Sequence, residues 1–241
     1  MWSDDYAALR AWREALDGRG IFVFSLEIGE RQRSQGPSEL LGDEVRGFSA
    51  WDDHAPLIVM NSQRVSAAAR SFTLAHELAH LITRYDAACV ESTTDHPFGE
   101  PVERWCEEFA AALLMPEPVV RAEMRSRGLQ DASGDLEDVK AVMRTFRVSA
   151  RASALRLMDL GLAQRSLYGV VLAHFRPSPP SKNRKMSSPP RAELRLRQYG
   201  PRALDAVFRD TDDPFEALSI LRMTVPDARQ LAEQVPSAAI L

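Results

Sequence analysis

"FTLAHELAHLI", Phe72 to Ile82, holds two of the five histidines of this 241-residue chain and a glutamate beside the first. Apolar residues recur with a helical period from about Val65 through Arg84. On such a helix His76 and His80, four positions apart, project from one face. Imidazoles at that spacing can reach one metal ion at the Zn–N distance of roughly 2.0–2.1 Å. Glu77 points to the rim of the same face, where it can take a proton from a metal-activated water and pass it to a leaving amine. That division of roles is why an HExxH pattern suits zinc hydrolysis. The competing reading is an amphipathic helix with two solvated histidines. Phe72, Leu74, Ala75, Leu78, Ala79, Leu81 and Ile82 argue against it, because they predict a largely buried helix. Two buried histidines need partners, and a metal supplies one to both.

A catalytic zinc site takes three protein ligands and leaves a position for water. The third donor is sought in "EPVERWCEEFAAALLMPEP", where Pro101 suits the first turn of a second helix that "MPEP" ends near Met115. Glu103 and Glu107 share one face of that helix, beside Cys106 and Ala110, and carboxylates are seldom buried without a partner. Glu103 is assigned as the ligand, with Glu108 and Glu100 as the alternatives. Glu107 is assigned as the acceptor for the free N–H of a ligating histidine. The plain alternative leaves both on a solvated charged helix. Cys106 is read as a small buried space-filler in preference to a redox or metal-binding thiol. His96 and Glu91, in the loop between the two helices, are weaker candidates for the metal. Arg70 is read as pairing with a buried carboxylate such as Glu107 or facing solvent, His54 and Asp52 as turn residues, and His174 as a residue at a linker edge.

Composition bounds the remaining possibilities. A hydrophobic fraction of 45% is that of a globular protein, and a net charge of -4 gives no reason to expect nucleic-acid binding by the whole molecule. The acidic start, "MWSDDYAALRAWREALDGRG", does not read as a signal peptide, and no apolar run is long enough to span a bilayer. Two cysteines, Cys89 and Cys106, cannot form a disulfide framework, so a reduced, cytoplasmic setting is expected. Along the chain, Ser3 is the expected cap of a helix running to Asp17. "IFVFSLEI" reads as a strand, Gly29 to Glu44 as a loop, and "GFSAW" and "PLIVMN" as strands of a hairpin. "YDAACVESTTDHPFGE" reads as a loop. Residues 135–162 read as two helices broken around Arg147 to Ser149. "RPSPPSKNRKMSSPPR" reads as a linker, and Pro201, Pro214 and Pro226 sit where short helices can begin. Few strands followed by many helices make an α+β protein.

"RSFTLAHELAHLI" followed by "ERWCEEFAAALLMP" resembles the ImmA/IrrE-type metallopeptidases, which pair an HExxH helix with an ExxxN-type helix ending in FAxxLLMP. "PLIVMN" resembles their strand before the active-site helix, and "FRVSARASALRLMDLGL" the helix-turn-helix-like segment after their core. The likeness covers roughly Ile21 to Leu162. It implies a zincin-like core, a small twisted sheet with active-site helices, over residues 1–134, with zinc (or manganese) on His76, His80 and Glu103, and Glu77 as base. A helix-turn-helix-like segment at 135–175, a Pro-rich basic linker at 176–191 and a small helical region at 192–241 would follow. The resemblance also implies a protein substrate, a helix-turn-helix repressor or antitoxin cut at one site to release stress-response or mobile-element genes. The family commonly has Ala-Asn where this chain has Cys106-Glu107. In zincins generally an edge strand pairs with the extended substrate, which places "PLIVMN" near the cleft.

Two readings of other classes compete. A non-catalytic regulator would use zinc as a staple between helices, closed by a fourth ligand such as Cys106, Cys89 or His96. A DNA-binding regulator would use residues 138–160. Its second helix carries Arg151 and Arg156 but no dense basic face, so packing on the core or docking a protein is preferred. Membrane partners are not expected.

Overall fold

The computed structural model describes residues 2–28, 45–63, 65–84, 88–90, 101–129, 132–175 and 189–240. The first helix, α1 (Asp5–Asp17), is capped by Asp4, whose side chain accepts from the Ala7 N–H. The expected cap, Ser3, instead donates its hydroxyl to Asp4. A carboxylate is the better cap here, since it also faces the positive end of the helix.

The described strands are β1 (Phe22–Leu26), β2 (Val45–Ala50), β3 (Leu57–Asn61) and β4 (Ala88–Val90), in sheet order β1-β3-β2-β4. β2 and β3 form the expected antiparallel hairpin, β1 lies parallel to β3, and β4 pairs antiparallel with β2. Two expectations fail here. β4 lies in the segment read as a loop. "PLIVMN" is an interior strand with a neighbour on each side, so its backbone is already paired and cannot receive a substrate strand. The Ile58, Val59 and Met60 run, buried at 0–2% exposure, is what an interior strand looks like. Asn61 ties the sheet's end together: its side-chain amide donates to Ile28 O and Val45 O and accepts from the N–H of Ile28 and Gln63.

The long helix α2 (Ala67–Thr83) starts at Ser66, whose hydroxyl accepts from Ala69 N–H, and stops at Arg84 in the left-handed region at φ 54°. Its near-continuous burial follows from its position between two apolar clusters. Leu74 and Leu81 pack with Leu9 and Leu16 of α1 and Val23, Ile58 and Met60 of the sheet. Ala75 belongs to a second cluster formed with α3 (Pro101–Leu114), α4 (Glu117–Ser126), α5 (Leu136–Phe146), α6 (Ala150–Asp159) and α7 (Ser166–His174). A helix that serves two cores is apolar nearly all round.

Pro116 ends α3 as expected and also begins α4, with Pro118 in the first turn where its missing N–H is harmless. α5 opens on a reciprocal Asp135–Asp138 capping box and closes at Arg147, left-handed at φ 56°; Ser149 then caps α6. The apolar cluster runs across residue 134 without interruption, so α5–α7 pack on the α2–α4 layer.

Of the expected linker, residues 176–188 lie outside the described residues. Beyond it, α8 (Arg191–Tyr199), α9 (Pro201–Asp210), α10 (Pro214–Leu221), α11 (Val225–Leu231) and a 3-10 turn (Pro236–Ile240) share a cluster of their own around Leu204, Phe208, Leu218 and Leu231. This unit docks on β1. The Arg13 guanidinium donates to Arg197 O at 2.7 Å and Gln198 O at 3.3 Å, and to Val23 O at 2.8 Å, so it serves the C-terminal carbonyls of α8. Tyr199 meets Phe24 edge-on, and Arg202 donates to Asp17 O while its guanidinium lies over Phe22. No helix among the described residues is long and apolar enough to cross a membrane.

Candidate metal centre

α2 and α3 pack side by side, and their facing surfaces bring the two histidines to Glu103. His76 Nε2 stands 3.1 Å from His80 Nε2; the Glu103 carboxylate lies 3.2 Å from the first and 3.4 Å from the second. Donors held at roughly 2.0–2.1 Å from a tetrahedral ion are separated by about 3.3–3.4 Å, so the spacing fits a single ion without rearrangement. The chemistry of the donors fits it as well. One Nε2–H donating to the other Nε2 would make a hydrogen bond at this distance, and a cation held by the unprotonated nitrogens and the carboxylate fits the same spacing. Burial and the adjacent His80 hold His76 below the ordinary histidine range, against the pull of Glu103, which favours the neutral imidazole that ligates metals.

Glu77 is fully buried, not at the rim. It lies against β2 at Gly47. A Cβ on Gly47 would sit 3.2 Å from Glu77 Oε1, 2.7 Å from Thr73 Cγ2 and 2.8 Å from Val59 O. Gly47 is therefore required for space, because its φ is not positive. The sequence reading missed this residue, and its only signal was a lone glycine inside a strand pattern.

Cys106 is buried, and desolvation together with the Glu103, Glu77 and Glu107 carboxylates pushes its thiol up to about 11. The donor cluster among the described residues comprises His76, His80 and Glu103 without it.

Glu107, one turn beyond Glu103, is solvent-exposed; partial desolvation and the Glu103 carboxylate push its carboxyl up, with Arg151 and Arg104 opposing. Glu108 is exposed. Arg70 pairs neither with Glu107 nor with solvent alone: it donates to Ser25 Oγ at 3.0 Å and lies over the Tyr6 ring. Asp52 accepts from the backbone N–H of His54 and Ala55, a turn role, and both side chains are exposed. His174 is exposed at the end of α7. Glu91, His96, Glu100 and the Cys89 side chain lie outside the described residues.

The chain is 40% identical over 82 residues to the radiation response metalloprotease IrrE of Deinococcus radiodurans, an alignment covering 32% of this chain and 24% of that protein. The chain thus spans about a quarter of the length of that relative. Residues 20–158 match the Peptidase_M78 family, described as the IrrE N-terminal-like domain, and this stretch holds the sheet, the metal-site helices and α4 to α6. The chain belongs to the IrrE N-terminal-like family of metallopeptidases, and its His76, His80 and Glu103 form a cluster that could hold a metal ion.

Proposed function

We propose that this chain is a zinc-dependent peptidase that cuts a helix-turn-helix transcriptional repressor or antitoxin. One observation carries the reading: two buried imidazole nitrogens and a carboxylate converge within 3.1–3.4 Å of one another, with a second, fully buried carboxylate on the same helix turn. His76, His80 and Glu103 hold the ion. When bound, zinc acidifies a water and polarises a carbonyl. Glu77 accepts a proton from the attacking water and returns it to the departing amide nitrogen, so one peptide bond and one water give an acid and an amine. Packing against Gly47 fixes the Glu77 side chain, which spares the reorientation a mobile base would need. Glu107 is assigned to accept the free N–H of a ligand histidine. Its replacement by Gln keeps an acceptor and removes a charge, so metal affinity should weaken by less than about ten-fold, whereas Ala should cost about 10–100-fold.

A helix-turn-helix repressor is the substrate that the resemblance to the ImmA/IrrE-type peptidases suggests, and the proposed mode of recognition is extended-strand pairing at β4, the sheet edge next to β2. The test is to incubate the zinc-loaded chain and its Glu77→Gln form with candidate repressors and locate cleavage by mass spectrometry. Cleavage at one bond by the parent and none by the variant, at equal zinc content, is expected. Equal activity of the two forms would refute the assignment of Glu77. A zinc staple is not favoured, because the donor cluster among the described residues has three members and leaves Cys106 out.

A further inference from the structure

Four serines among the described residues are buried, and three of them have partners. Ser71 Oγ donates to Ala67 O at 3.2 Å, Ser153 Oγ donates to Ser149 O at 2.9 Å, and Ser25 Oγ accepts from Arg70 at 3.0 Å. The fourth, Ser49 on β2, is 6% exposed, and its Oγ has no hydrogen-bond partner among the described residues. A buried hydroxyl left so carries the full cost of its desolvation, which a partner made available by a bound group offsets.

The strand register gives the direction of that hydroxyl. Side chains two apart on a strand share a face, and Gly47 faces Thr73 and Glu77 of α2. Just past the end of β2, the Trp51 ring lies under the Arg84 guanidinium, which is 4.5 Å from its centroid. β2 and α2 therefore run in the same direction, and Ser49 stands midway between these two contacts. Two strand residues beyond Gly47 is an advance of about 6.7 Å, or about four to five residues along a helix. That puts Ser49 level with His80 and Leu81, one turn past Glu77. Ile58, directly opposite Ser49 on β3, shares an apolar cluster with Leu81, as this placement requires. Around the helix axis His80 lies about 60° from Glu77 and about 20° from Thr73. Its ring thus borders β2 on one side while its Nε2 meets Glu103 on the other.

We propose that Ser49 is a positioning residue of the metal centre, its hydroxyl oxygen accepting the Nδ1–H of His80 when Nε2 of that ring holds the ion. This role rests on the metal site of the reading above and deepens it. An ion on Nε2 leaves the imidazole proton on Nδ1, and that N–H fixes the ring's orientation and raises its basicity only where it has an acceptor. The His80 side chain is 0% exposed, so its acceptor has to come from the protein. Glu107 is assigned to one ligand histidine from α3; Ser49 serves the other from β2. A single χ1 step displaces a serine Oγ by roughly 2 Å, the adjustment available to the hydroxyl when the ion sets the ring.

The experiment compares the full chain with its Ser49→Ala form, zinc-free and zinc-loaded, with histidine ring nitrogens labelled for NMR. Zinc loading should give two ring N–H signals, one for each ligand histidine. In Ser49→Ala one of them should move and exchange faster with water while the other holds its place. Zinc affinity, read by competition with a chelator, should weaken by about 10–100-fold. The zinc-free variant should unfold at the parental Tm or above it, because removing a hydroxyl that has no partner leaves no other group unsatisfied. A hydroxyl with a purely structural role gives the opposite pattern, a lower zinc-free Tm with parental zinc affinity. That pattern, or parental positions for both ring signals, would overturn the proposal. None of these readouts uses cleavage. A zinc-loaded parent that cuts no repressor would remove the peptidase reading and leave the role of Ser49 standing, whereas a Ser49→Ala form with parental zinc affinity would remove that role and leave the peptidase reading standing.

Discussion

Gly47→Ala tests how the sheet holds the base. The added methyl carbon would stand 2.7 Å from Thr73 Cγ2 and 2.8 Å from Val59 O, about 0.6–0.7 Å closer than the 3.4 Å at which ordinary contact begins. Neither neighbour yields readily. Val59 lies in β3, in register with Phe48 beside Gly47. Thr73 is held by its hydroxyl bond to Ala69 O at 3.3 Å, so rotating the methyl away gives up that bond. Relief must come from separating β2 and α2, and overpacking of this kind costs about 1–3 kcal/mol. For a chain of this size that is a fall in Tm of roughly 2–12 °C. The same separation shifts Glu77, whose Oε1 would lie 3.2 Å from the new carbon. Turnover should fall by about ten- to hundred-fold while zinc stoichiometry stays at that of the parent, since the ligands sit on α2 and α3 and not on β2. Thermal unfolding, metal analysis and cleavage rate together give the answer. An alanine variant with parental Tm and parental turnover would refute the close approach and the positioning of Glu77 that depends on it.

Other consequences are as direct. Glu103→Ala should weaken zinc affinity by at least about a hundred-fold with little change in helix content by circular dichroism; retention of parental affinity would show that another donor replaces it. Asn61→Ala leaves Ile28, Val45 and Gln63 backbone groups without their partner and should lower stability by about 2–4 kcal/mol, read by denaturant titration. Arg13→Met should release α8 from β1, seen as faster amide exchange confined to α8 and α9, while exchange in α2 stays slow. Asp205 and Asp227 are both held below the ordinary carboxylate range, by the Ser237 N–H and by the Thr224 hydroxyl and N–H respectively. Depressed values mean that their contribution to the C-terminal helices is complete above the unfolded value near 3.9 and is lost as pH falls through the lower folded values. Acid titration followed by NMR should therefore loosen these helices on the acid side, and loosening on raising pH from 5 to 8 would contradict the sign.

Much of the architecture is legible before any coordinates, and the reasons are local. α2 and α3 announce themselves by apolar periodicity, and helical geometry alone puts His76 with His80 and Glu103 with Glu107 on common faces. The break between α5 and α6 is legible because Ser149 is a strong cap. What escapes the sequence is set by packing between distant segments. Nothing in "PLIVMN" tells an interior strand from an edge strand, because that depends on β1 arriving from more than thirty residues away. Gly47 reads as an unremarkable strand glycine until α2 is laid against it. Arg13 carries no signal of its role in the sequence, and Arg70 reads as pairing with a carboxylate or facing solvent, yet one serves carbonyls 184 and 185 residues away and the other a strand serine and a tyrosine ring. Glu77 reads as a rim residue because periodicity gives a side chain its direction and not its depth.

The central claim is that one divalent ion sits between α2 and α3 on two imidazoles and one carboxylate. X-ray absorption at the zinc edge of the loaded chain measures this directly. The account predicts one zinc per chain with a shell of nitrogen and oxygen neighbours at about 2.0–2.1 Å, two of them imidazole. A sulfur neighbour at about 2.3 Å would contradict it, since it would make a cysteine a ligand and turn the site into a closed structural staple.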